Sequence, residues 1–242
     1  MLFFSFKKKH NLLKSGILQG MTDIHSHILP GVDDGSPDST TSLELLEFVQ
    51  EIGIKKVWLT PHVMSDMQQN TNTYLKERFV AFRKQYSGNI ELNQAGEYMM
   101  DAQFASKLPS EVLPLGENHL LVETSYMFPP TGLYDILKKV CTCGYFPVIA
   151  HPERYSYMEM EDYKKLYHTD GYNLQLNLMS LSGYYGPDAR RVSETLLSNG
   201  MYTFVGTDLH HLERYADMLG KMKLTSEQLD ALSILISNNE SI

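Results

Sequence analysis

Two histidines and three aspartates lie within fourteen residues near the start of this chain, in the stretch TDIHSHILPGVDDG at positions 22–35. The alternation in DIHSH has the period of a β-strand, so His25 and His27 project from one face, about 6 to 7 Å apart along it. Imidazole and carboxylate groups bind divalent metal ions. Taken singly, an H-x-H is also found as a hydrogen-bonded pair, and DDG alone is most simply a turn.

Six more side chains of these types follow later apolar runs. They are His62 in WLTPH, Glu97 in NQAGE, Glu123 in LLVET, His151 in VIAHPER, and Asp208 and His210 in FVGTDLH. Each alone is more simply a solvated or structural residue. Five of the nine histidines and at least three carboxylates nevertheless fall where predicted strands end, which is the rim where barrel active sites are built. This coincidence predicts a multinuclear metal site.

The elements that must position these side chains alternate between short apolar and longer amphipathic segments. Strands are predicted at Asp23–Ile28, Lys56–Thr60, Glu91–Gly96, Leu120–Thr124, Pro147–Ala150, Asn173–Leu178 and Tyr202–Thr207. Helices are predicted at about Leu45–Ile52, Tyr74–Tyr86, Gly132–Cys143, Glu161–His168, Asp188–Leu197 and Ser226–Ser237. The pattern predicts one α/β domain with a mostly parallel sheet, in a closed or nearly closed barrel.

The ligand set also limits the metals. Without a thiolate, it suits Mn²⁺, Fe²⁺, Zn²⁺ or Mg²⁺ and does not choose among them. If Asp34 joins Glu97, Glu123 and Asp208, four carboxylates suffice to hold two or three divalent ions, and with three ions the cluster remains net positive. Such a cluster attracts an anionic substrate.

Adjacent metal ions favour hydrolysis of phosphate esters, by a metal-bridging hydroxide and a clamp on the phosphoryl oxygens. Arg154, three residues beyond His151 in HPER, is placed for a planar, bidentate phosphate contact, with a surface salt bridge as its alternative. Arg214, in HLERY, is a second candidate. We therefore predict Arg154 and Arg214 as catalytic residues.

Composition and charge exclude other classes of protein. The 242 residues are 43% hydrophobic, enough for one sizeable core. The formal net charge of -8 argues against nucleic-acid binding, and three divalent ions would bring it to about -2. Cys141 and Cys143 are too few for a disulfide framework, so we expect a cytoplasmic protein. No apolar run reaches the roughly 18 residues of a transmembrane span.

Residues 1–20, MLFFSFKKKHNLLKSGILQG, have an apolar start followed by lysines, the reverse of the order in a signal peptide. We interpret them as a mobile basic N-terminal extension before a domain that covers residues 21–242. A contact arm for a partner or a membrane surface is the alternative.

Together, H-S-H with D-D-G, then T-P-H, G-E, V-E, H-P-E-R and D-x-H, resemble the polymerase and histidinol phosphatase (PHP) superfamily, and more closely its bacterial tyrosine-protein phosphatase branch of the CpsB/CapC/YwqE type. The similarity runs from about Thr22 to about Leu219. The resemblance implies a single-domain, distorted TIM-like (β/α)7 barrel of the PHP type and a trinuclear, usually manganese-dependent site. It also implies removal of phosphate from protein tyrosines, notably in the Tyr-rich tails of bacterial tyrosine kinases that control capsule or exopolysaccharide export.

Carried over residue by residue, the resemblance implies nine metal ligands. These are His25, His27, Asp34, His62, Glu97, Glu123, His151, Asp208 and His210. The arginine of the HPER motif matches Arg154, whereas DLHHLERY, which contains Arg214, differs in length from the family form. The first twenty residues extend beyond the usual family start.

Two other functions stay open. Another PHP phosphoesterase, histidinol-phosphatase-like or nuclease-like, would use the same ligands on a small alkyl phosphate or a phosphodiester. A non-enzymatic, metal-stabilised interaction protein would bind metal without turnover. A cysteine-based phosphatase is excluded, because its C-x5-R signature needs arginine where Pro147 and Ile149 stand. The sequence does not indicate an oligomeric state.

Overall fold

Strands and helices alternate along residues 8–242, the part of the chain that the computed structural model describes. The strands are β1 (Lys9–Asn11), β2 (Thr22–Asp23), β3 (Lys56–Leu59), β4 (His62–Val63), β5 (Glu91–Gln94), β6 (Glu97–Met99), β7 (His119–Glu123), β8 (Phe146–Ala150), β9 (Asn173–Asn177), β10 (Phe204–Gly206) and β11 (Lys223–Thr225). The helices are α1 (Leu12–Ser15), α2 (Ser39–Glu51), α3 (Asn72–Arg83), α4 (Phe104–Lys107), α5 (Leu133–Thr142), α6 (Met160–Lys164), α7 (Pro187–Ser198), α8 (Glu213–Lys221) and α9 (Ser226–Asn239). Every predicted strand and helix overlaps one of these, whereas β1, β4, β6, β11, α1, α4 and α8 were not predicted.

The central strands form two parallel sheets, as the alternation predicted. Six strands pair in the order β10-β9-β8-β7-β6-β4, and three pair in the order β2-β3-β5. The chain passes from one sheet to the other between β3 and β4, at Thr60 and Pro61, and between β5 and β6, at Ala95 and Gly96. Proline has no N–H to donate to a ladder and glycine weakens a strand, which explains why each long strand is split at these positions.

The mixed α/β single domain is confirmed, but the predicted closed barrel is not, because the sheets stay open. After β2, the chain makes only one isolated bridge to the far edge, between Ser26 and Leu209. Three hydrogen bonds hold the segment after β2 against the segment after β10. They run from Thr207 N to the Asp23 carboxylate, from Asp208 N to the His25 carbonyl and from His27 N to the Leu209 carbonyl. Contacts within the site thus replace the missing ladder.

Most central strands are buried on both faces, which explains their nearly continuous apolar sequences. In β7, Leu120 and Val122 pack into the large core that also contains the buried helix faces. Leu121, between them, packs into a second, smaller cluster with Trp58 and Val148. The helices therefore cover the outside of the sheets, and the second cluster fills the space that the strands enclose.

The segment before Met21 packs onto the rest of the molecule. Strand β1 pairs antiparallel with β11, and Leu12 and Leu18 are buried in the large core. The prediction of a mobile N-terminal extension is therefore wrong for residues 9–20, while residues 1–7 lie outside the described part of the chain. The division of the chain at residue 21 stays a prediction. Among residues 8–242, no helix has the length and apolar character needed to cross a bilayer.

Candidate metal centre

All nine side chains predicted as metal ligands lie together at one edge of the two parallel sheets. They are His25 and His27 after β2, Asp34 in the next turn, His62 and Glu97 where β4 and β6 begin, Glu123 at the end of β7, His151 directly after β8, and Asp208 and His210 after β10. The structure thus brings the predicted set together without exception. Asp34 is the most open of the nine, with 67% of its side chain exposed.

The ligand atoms form four overlapping groups, in each of which all atoms lie within 4.8 Å of one another. The groups are His27, Asp34, His62 and His210; His25, His27 and Glu97; His25, His151 and Asp208; and His62, Glu97 and Glu123. Four residues, His25, His27, His62 and Glu97, belong to two groups each. Side chains shared in this way are what a site for adjacent ions requires.

Hydrogen bonds on the outer side of the imidazole rings fix their orientation. His25 Nδ1 lies 2.9 Å from the side-chain oxygen of Gln175, and His27 Nδ1 lies 2.9 Å from the Asp33 carboxylate. His210 Nδ1 faces a backbone carbonyl in the same way. Because these partners accept hydrogen bonds, each Nδ1 carries the proton and the lone pair of Nε2 points inward, as in metal-binding histidines.

The inward-facing Nε2 atoms meet other lone pairs. His25 Nε2 lies 3.1 Å from His27 Nε2, and each lies 3.3 Å from a carboxylate oxygen of Glu97. Asp208 Oδ1 lies 3.4 Å and 3.3 Å from the same two nitrogens. Acceptors this close repel one another unless a proton or a metal cation lies between them. The donor set therefore fits divalent ions.

Buried polar atoms without a hydrogen-bond partner are concentrated here. Four of the eight such atoms among the described residues are His62 Nδ1, Glu97 Oε2, Glu123 Oε1 and His151 Nδ1. Three of them lie close together without hydrogen-bond geometry, since His62 Nδ1 is 3.0 Å from both Glu97 Oε2 and Glu123 Oε1. Buried polar atoms ordinarily make hydrogen bonds, so this local excess points to a missing ligand. Two of the four atoms are carboxylate oxygens, which only accept when ionised, and metal ions satisfy acceptors.

Charge is balanced between the imidazoles and the carboxylates. Burial favours the neutral form of Asp208, but the nearby histidines, above all His25, hold its pKa well below the usual range. The pKa of Glu97 is likewise lowered against burial. Burial opposes protonation of His62, yet Glu97 and its neighbours raise the pKa of His62 to about 10. The carboxylates thus stay ionised and require positive charge, either as protons on imidazoles or as metal ions in their place.

Two of the ligands have left-handed backbone conformations. His151 has φ +36° and Asp208 has φ +51°, and they are the only non-glycine residues with positive φ among residues 8–242. Such conformations cost on the order of 1 kcal/mol or more and persist where the surroundings impose them. The bond from Asp208 N to the His25 carbonyl (2.8 Å) holds one of them in place. His151 directly follows β8 and Asp208 lies two residues after the end of β10, so each turn sets the direction of a ligand side chain near a strand end.

Arg154 lies beside Asp208 and donates to its Oδ2 at 2.8 Å from Nη1. The same oxygen accepts from the Asn177 amide at 2.8 Å and from the Tyr185 hydroxyl at 3.3 Å. The other oxygen, Oδ1, faces the histidines. The two oxygens of Asp208 therefore have separate partners, one in the ligand cluster and one in a network that fixes Arg154.

The Arg154 guanidinium lies between two aromatic rings, 4.3 Å from the centroid of Tyr126 and 4.0 Å from that of Tyr185. These three residues line a cavity of about 310 Å³, together with His151 and Asp208, which is called the metal cavity below. Stacking and the bond to Asp208 leave the remaining N–H groups of Arg154 to meet a bound anion. The cavity thus combines the metal ligands with a fixed cation.

Arg214 lies on α8, away from the ligand atoms. Its guanidinium is 4.9 Å from the centroid of the Tyr184 ring, and Nη2 lies 3.4 Å from the Tyr184 carbonyl. Tyr184 lines the metal cavity, whereas Arg214 does not. A direct contact of Arg214 with substrate stays a prediction.

Three positioning residues were not predicted from the sequence. Asp33 accepts from the backbone of His62 at 3.1 Å besides holding His27. Gln175 and Asn177 come from β9, which contributes no metal ligand. Their signal was present, since polar residues alternate with leucine in the otherwise apolar stretch NLQLN.

Gly35 explains the glycine of the D-D-G turn. A Cβ atom at this position would lie 2.2 Å from the His27 carbonyl oxygen and 2.5 Å from His27 Cβ. We expect Gly35→Ala to push the turn with Asp33 and Asp34 outward and to weaken metal binding by about 10- to 100-fold, the size of an outer-shell loss. Metal titration followed by calorimetry measures this.

Gly220→Ala is the matched control, because a Cβ there meets nothing within 4 Å. Gly220 lies in α8, where alanine favours the helix. Equal metal affinity in both variants would show that the close approach at His27 does not position the turn.

Comparison with known proteins places these features in context. A model of the family described as capsular polysaccharide synthesis, CpsB/CapC, matches residues 21–242. Tyrosine-protein phosphatase YwqE of Bacillus subtilis (strain 168) is 29% identical over 200 residues, which cover 80% of this chain and 78% of YwqE. Putative tyrosine-protein phosphatase CapC of Staphylococcus aureus is 26% identical over 242 residues, which cover 92% of this chain and 93% of CapC.

A solved structure has the same architecture. It comes from work on YwqE of Bacillus subtilis and CpsB of Streptococcus pneumoniae, which are described as unique metal-dependent tyrosine phosphatases. The TM-score is 0.74 at 27% identity, and the match covers 90% of this chain and 95% of the other. The similarity therefore includes nearly the whole of both folds.

Proposed function

This chain belongs to the CpsB/CapC family of capsular polysaccharide synthesis, and on that premise we propose that it is a metal-dependent protein-tyrosine phosphatase. The observation that carries the proposal is the convergence of imidazole nitrogen and carboxylate oxygen atoms beside the stacked guanidinium of Arg154. Divalent metal ions, when bound by these atoms, supply a water nucleophile at neutral pH and neutralise charge on a phosphoryl group.

The nine residues named above are the proposed ligands, and three ions, with manganese first, are the proposed content. Four overlapping groups of ligand atoms support more than one ion. Mixed nitrogen and oxygen donors without sulfur fit Mn²⁺, Fe²⁺, Zn²⁺ and Mg²⁺ alike, and the family resemblance puts manganese first.

The residues of the chain divide the remaining tasks. Arg154 binds phosphoryl oxygens, with its plane fixed by Tyr126 and Tyr185. Asp208 orients Arg154 through Oδ2 while it serves the ligand cluster through Oδ1. A phenolate leaving group has a conjugate pKa of about 10, well below that of an alkyl alcohol, so an aryl ester needs no strong general acid. Aryl phosphates should therefore be the best substrates.

The proposal extends to a phosphotyrosine protein in the cytoplasm, with the Tyr-rich tail of a bacterial tyrosine kinase as the substrate. The family's link to capsular polysaccharide synthesis supports this choice. The thiols of Cys141 and Cys143 are free, in keeping with a reducing compartment.

Phosphate release from a substrate panel tests the function. The panel contains a phosphotyrosine peptide, a phosphoserine peptide, histidinol phosphate and a phosphodiester, each with Mn²⁺ and with EDTA. We expect the phosphotyrosine peptide to be hydrolysed fastest and EDTA to stop the reaction. Faster hydrolysis of histidinol phosphate or the diester would keep the site but reject the tyrosine phosphatase, and metal binding without any turnover would favour an interaction protein.

A further inference from the structure

Exposed apolar side chains are concentrated beside the metal cavity. Seven large hydrophobic side chains are exposed among the described residues, and three of them are consecutive: Tyr126, Met127 and Phe128, at 39%, 61% and 71%. They belong to the segment SYMFPPT at residues 125–131, which follows β7 and is called the 125–131 loop below. Exposed apolar residues in a contiguous set mark binding surfaces more often than scattered ones do.

The 125–131 loop is held in a defined position. Both the backbone N–H and the hydroxyl of Ser156 donate to the Tyr126 carbonyl at 2.8 Å. Met127 N donates to the Ser125 hydroxyl at 3.3 Å, and two prolines, Pro129 and Pro130, restrict the backbone beyond Phe128. The apolar side chains are therefore presented on a fixed scaffold, which reduces the entropy cost of binding.

The loop also connects two cavities. Tyr126 lines the metal cavity, where its ring stacks on Arg154. Two residues later, Phe128 lines a separate groove of about 610 Å³. This groove, called the Phe128 groove below, is formed by Met99, Met100, Phe128, Pro129, Pro130 and Ile136 among others. Two residues of chain span at most about 7 Å, so the backbones of Tyr126 and Phe128, one lining each cavity, are close neighbours.

We propose that the Phe128 groove is a docking site for an apolar side chain of the substrate polypeptide, close in sequence to the phosphotyrosine. This inference rests on the proposed function and names a determinant of its specificity. A phosphotyrosine whose phosphate lies at Arg154 places its own backbone at the mouth of the metal cavity, beside Tyr126. A leucine or aromatic residue a few positions away then covers Phe128.

Charge favours a polypeptide over a membrane surface as the occupant. Residues 125–131 contain no charged side chain, the groove wall includes Asp101, and Lys139 of α5 already donates to the Ala105 carbonyl at 2.6 Å. Loops that bind anionic bilayers combine apolar residues with basic ones, which this segment lacks.

Peptide kinetics test the proposal. One phosphotyrosine peptide has only glycine and serine around the phosphotyrosine, and six others carry a single leucine at one of the three positions on either side. For the wild-type protein, we expect leucine at one or two positions to raise kcat/KM about tenfold, through KM, as burial of one apolar side chain allows. In Phe128→Ser this gain disappears, and Phe128→Leu restores most of it.

Two controls separate the outcomes. Hydrolysis of p-nitrophenyl phosphate, which is too small to reach the groove, should be equal in all variants. Phe146→Ser removes another exposed phenylalanine, 53% exposed, at the start of β8 and thus at the end of that strand opposite His151. Phe146→Ser should leave kcat/KM for every peptide unchanged.

The proposal is wrong if no leucine position raises kcat/KM, or if the gain survives in Phe128→Ser. It is also wrong if Phe128→Ser changes only sedimentation with vesicles of phosphatidylcholine and phosphatidylserine, which would assign the loop to a membrane surface. Wild-type protein that hydrolyses neither the peptides nor p-nitrophenyl phosphate would instead reject the phosphatase function itself.

Discussion

Replacing Asp208 with alanine is expected to lower turnover of a phosphotyrosine peptide at least about 10³-fold and to reduce the amount of bound metal. Loss of a ligand removes several kcal/mol of stabilisation of the developing phosphoryl charge, and each 1.36 kcal/mol is tenfold in rate. Asp208 has a further role, since its Oδ2 holds Arg154 at 2.8 Å. Steady-state kinetics with Mn²⁺, together with metal analysis after gel filtration, measure both effects.

Asp217→Ala is the control for Asp208→Ala, because Asp217 is a carboxylate on α8 with 57% of its side chain exposed and pairs with Lys221. Asp208→Asn keeps a side chain that tolerates the left-handed backbone but removes the charge and replaces one acceptor oxygen with an NH₂ group, so it separates the loss of a ligand from backbone strain. Full turnover in Asp208→Ala would contradict the proposed metal centre. Lost turnover with unchanged metal content would limit Asp208 to holding Arg154.

The positions of the ligands could be predicted from the sequence because parallel strands impose a common direction. In a parallel sheet, residues that follow strand ends meet at one edge, however far apart they lie in the chain. His151, after β8, is 3.0 Å from Glu97, which lies 54 residues away. This step needed only the common direction of the predicted strands, whereas the short strands β4 and β6, which begin at His62 and Glu97, were not predicted.

Whether the sheets close into a barrel could not be predicted from the sequence, because closure depends on a few backbone hydrogen bonds. The sequence from Asp23 to Ile28 has the alternation of a strand, but regular pairing stops at Asp23. Beyond that point His25 and His27 turn their side chains into the cluster, and their backbones bond to Asp208 and Leu209. Here these hydrogen bonds at the metal site replace regular strand pairing, and no hydrophobic pattern in the sequence encodes them.

The N-terminal segment shows a different limit. Residues 1–20 combine apolar and basic residues without a clear period, so they read as an extension. In the structure, Leu12 and Leu18 are buried, and the Asn11 amide donates to the Gly220 carbonyl at 2.7 Å, 209 residues away. Contacts between the two ends of a chain are tertiary, and local sequence patterns do not reveal them.

Replacing Arg154 with alanine should leave bound metal unchanged and lower kcat/KM for p-nitrophenyl phosphate about 10²- to 10³-fold, as for loss of one preorganised charge donor in an active site. Arg154 is not a ligand in any of the four groups, and Asn177 and Tyr185 still donate to Asp208 Oδ2 when Arg154 is removed, so we expect the ions to stay bound. Arg154→Lys keeps the charge but loses the planar fork that stacks between Tyr126 and Tyr185, and it should recover only part of the activity.

Arg191→Ala is the matched control for Arg154→Ala, since Arg191 is 70% exposed and pairs only with Asp188 across one turn of α7. Arg214→Ala, on α8, tests the second arginine, and contact through Tyr184 alone predicts a smaller effect than for Arg154. If Arg154→Ala kept wild-type kcat/KM while Arg214→Ala lost it, phosphate recognition would belong to Arg214, and Arg154 would serve only to neutralise Asp208. If both variants lost metal together with activity, the arginines would stabilise the ligand cluster rather than bind the substrate.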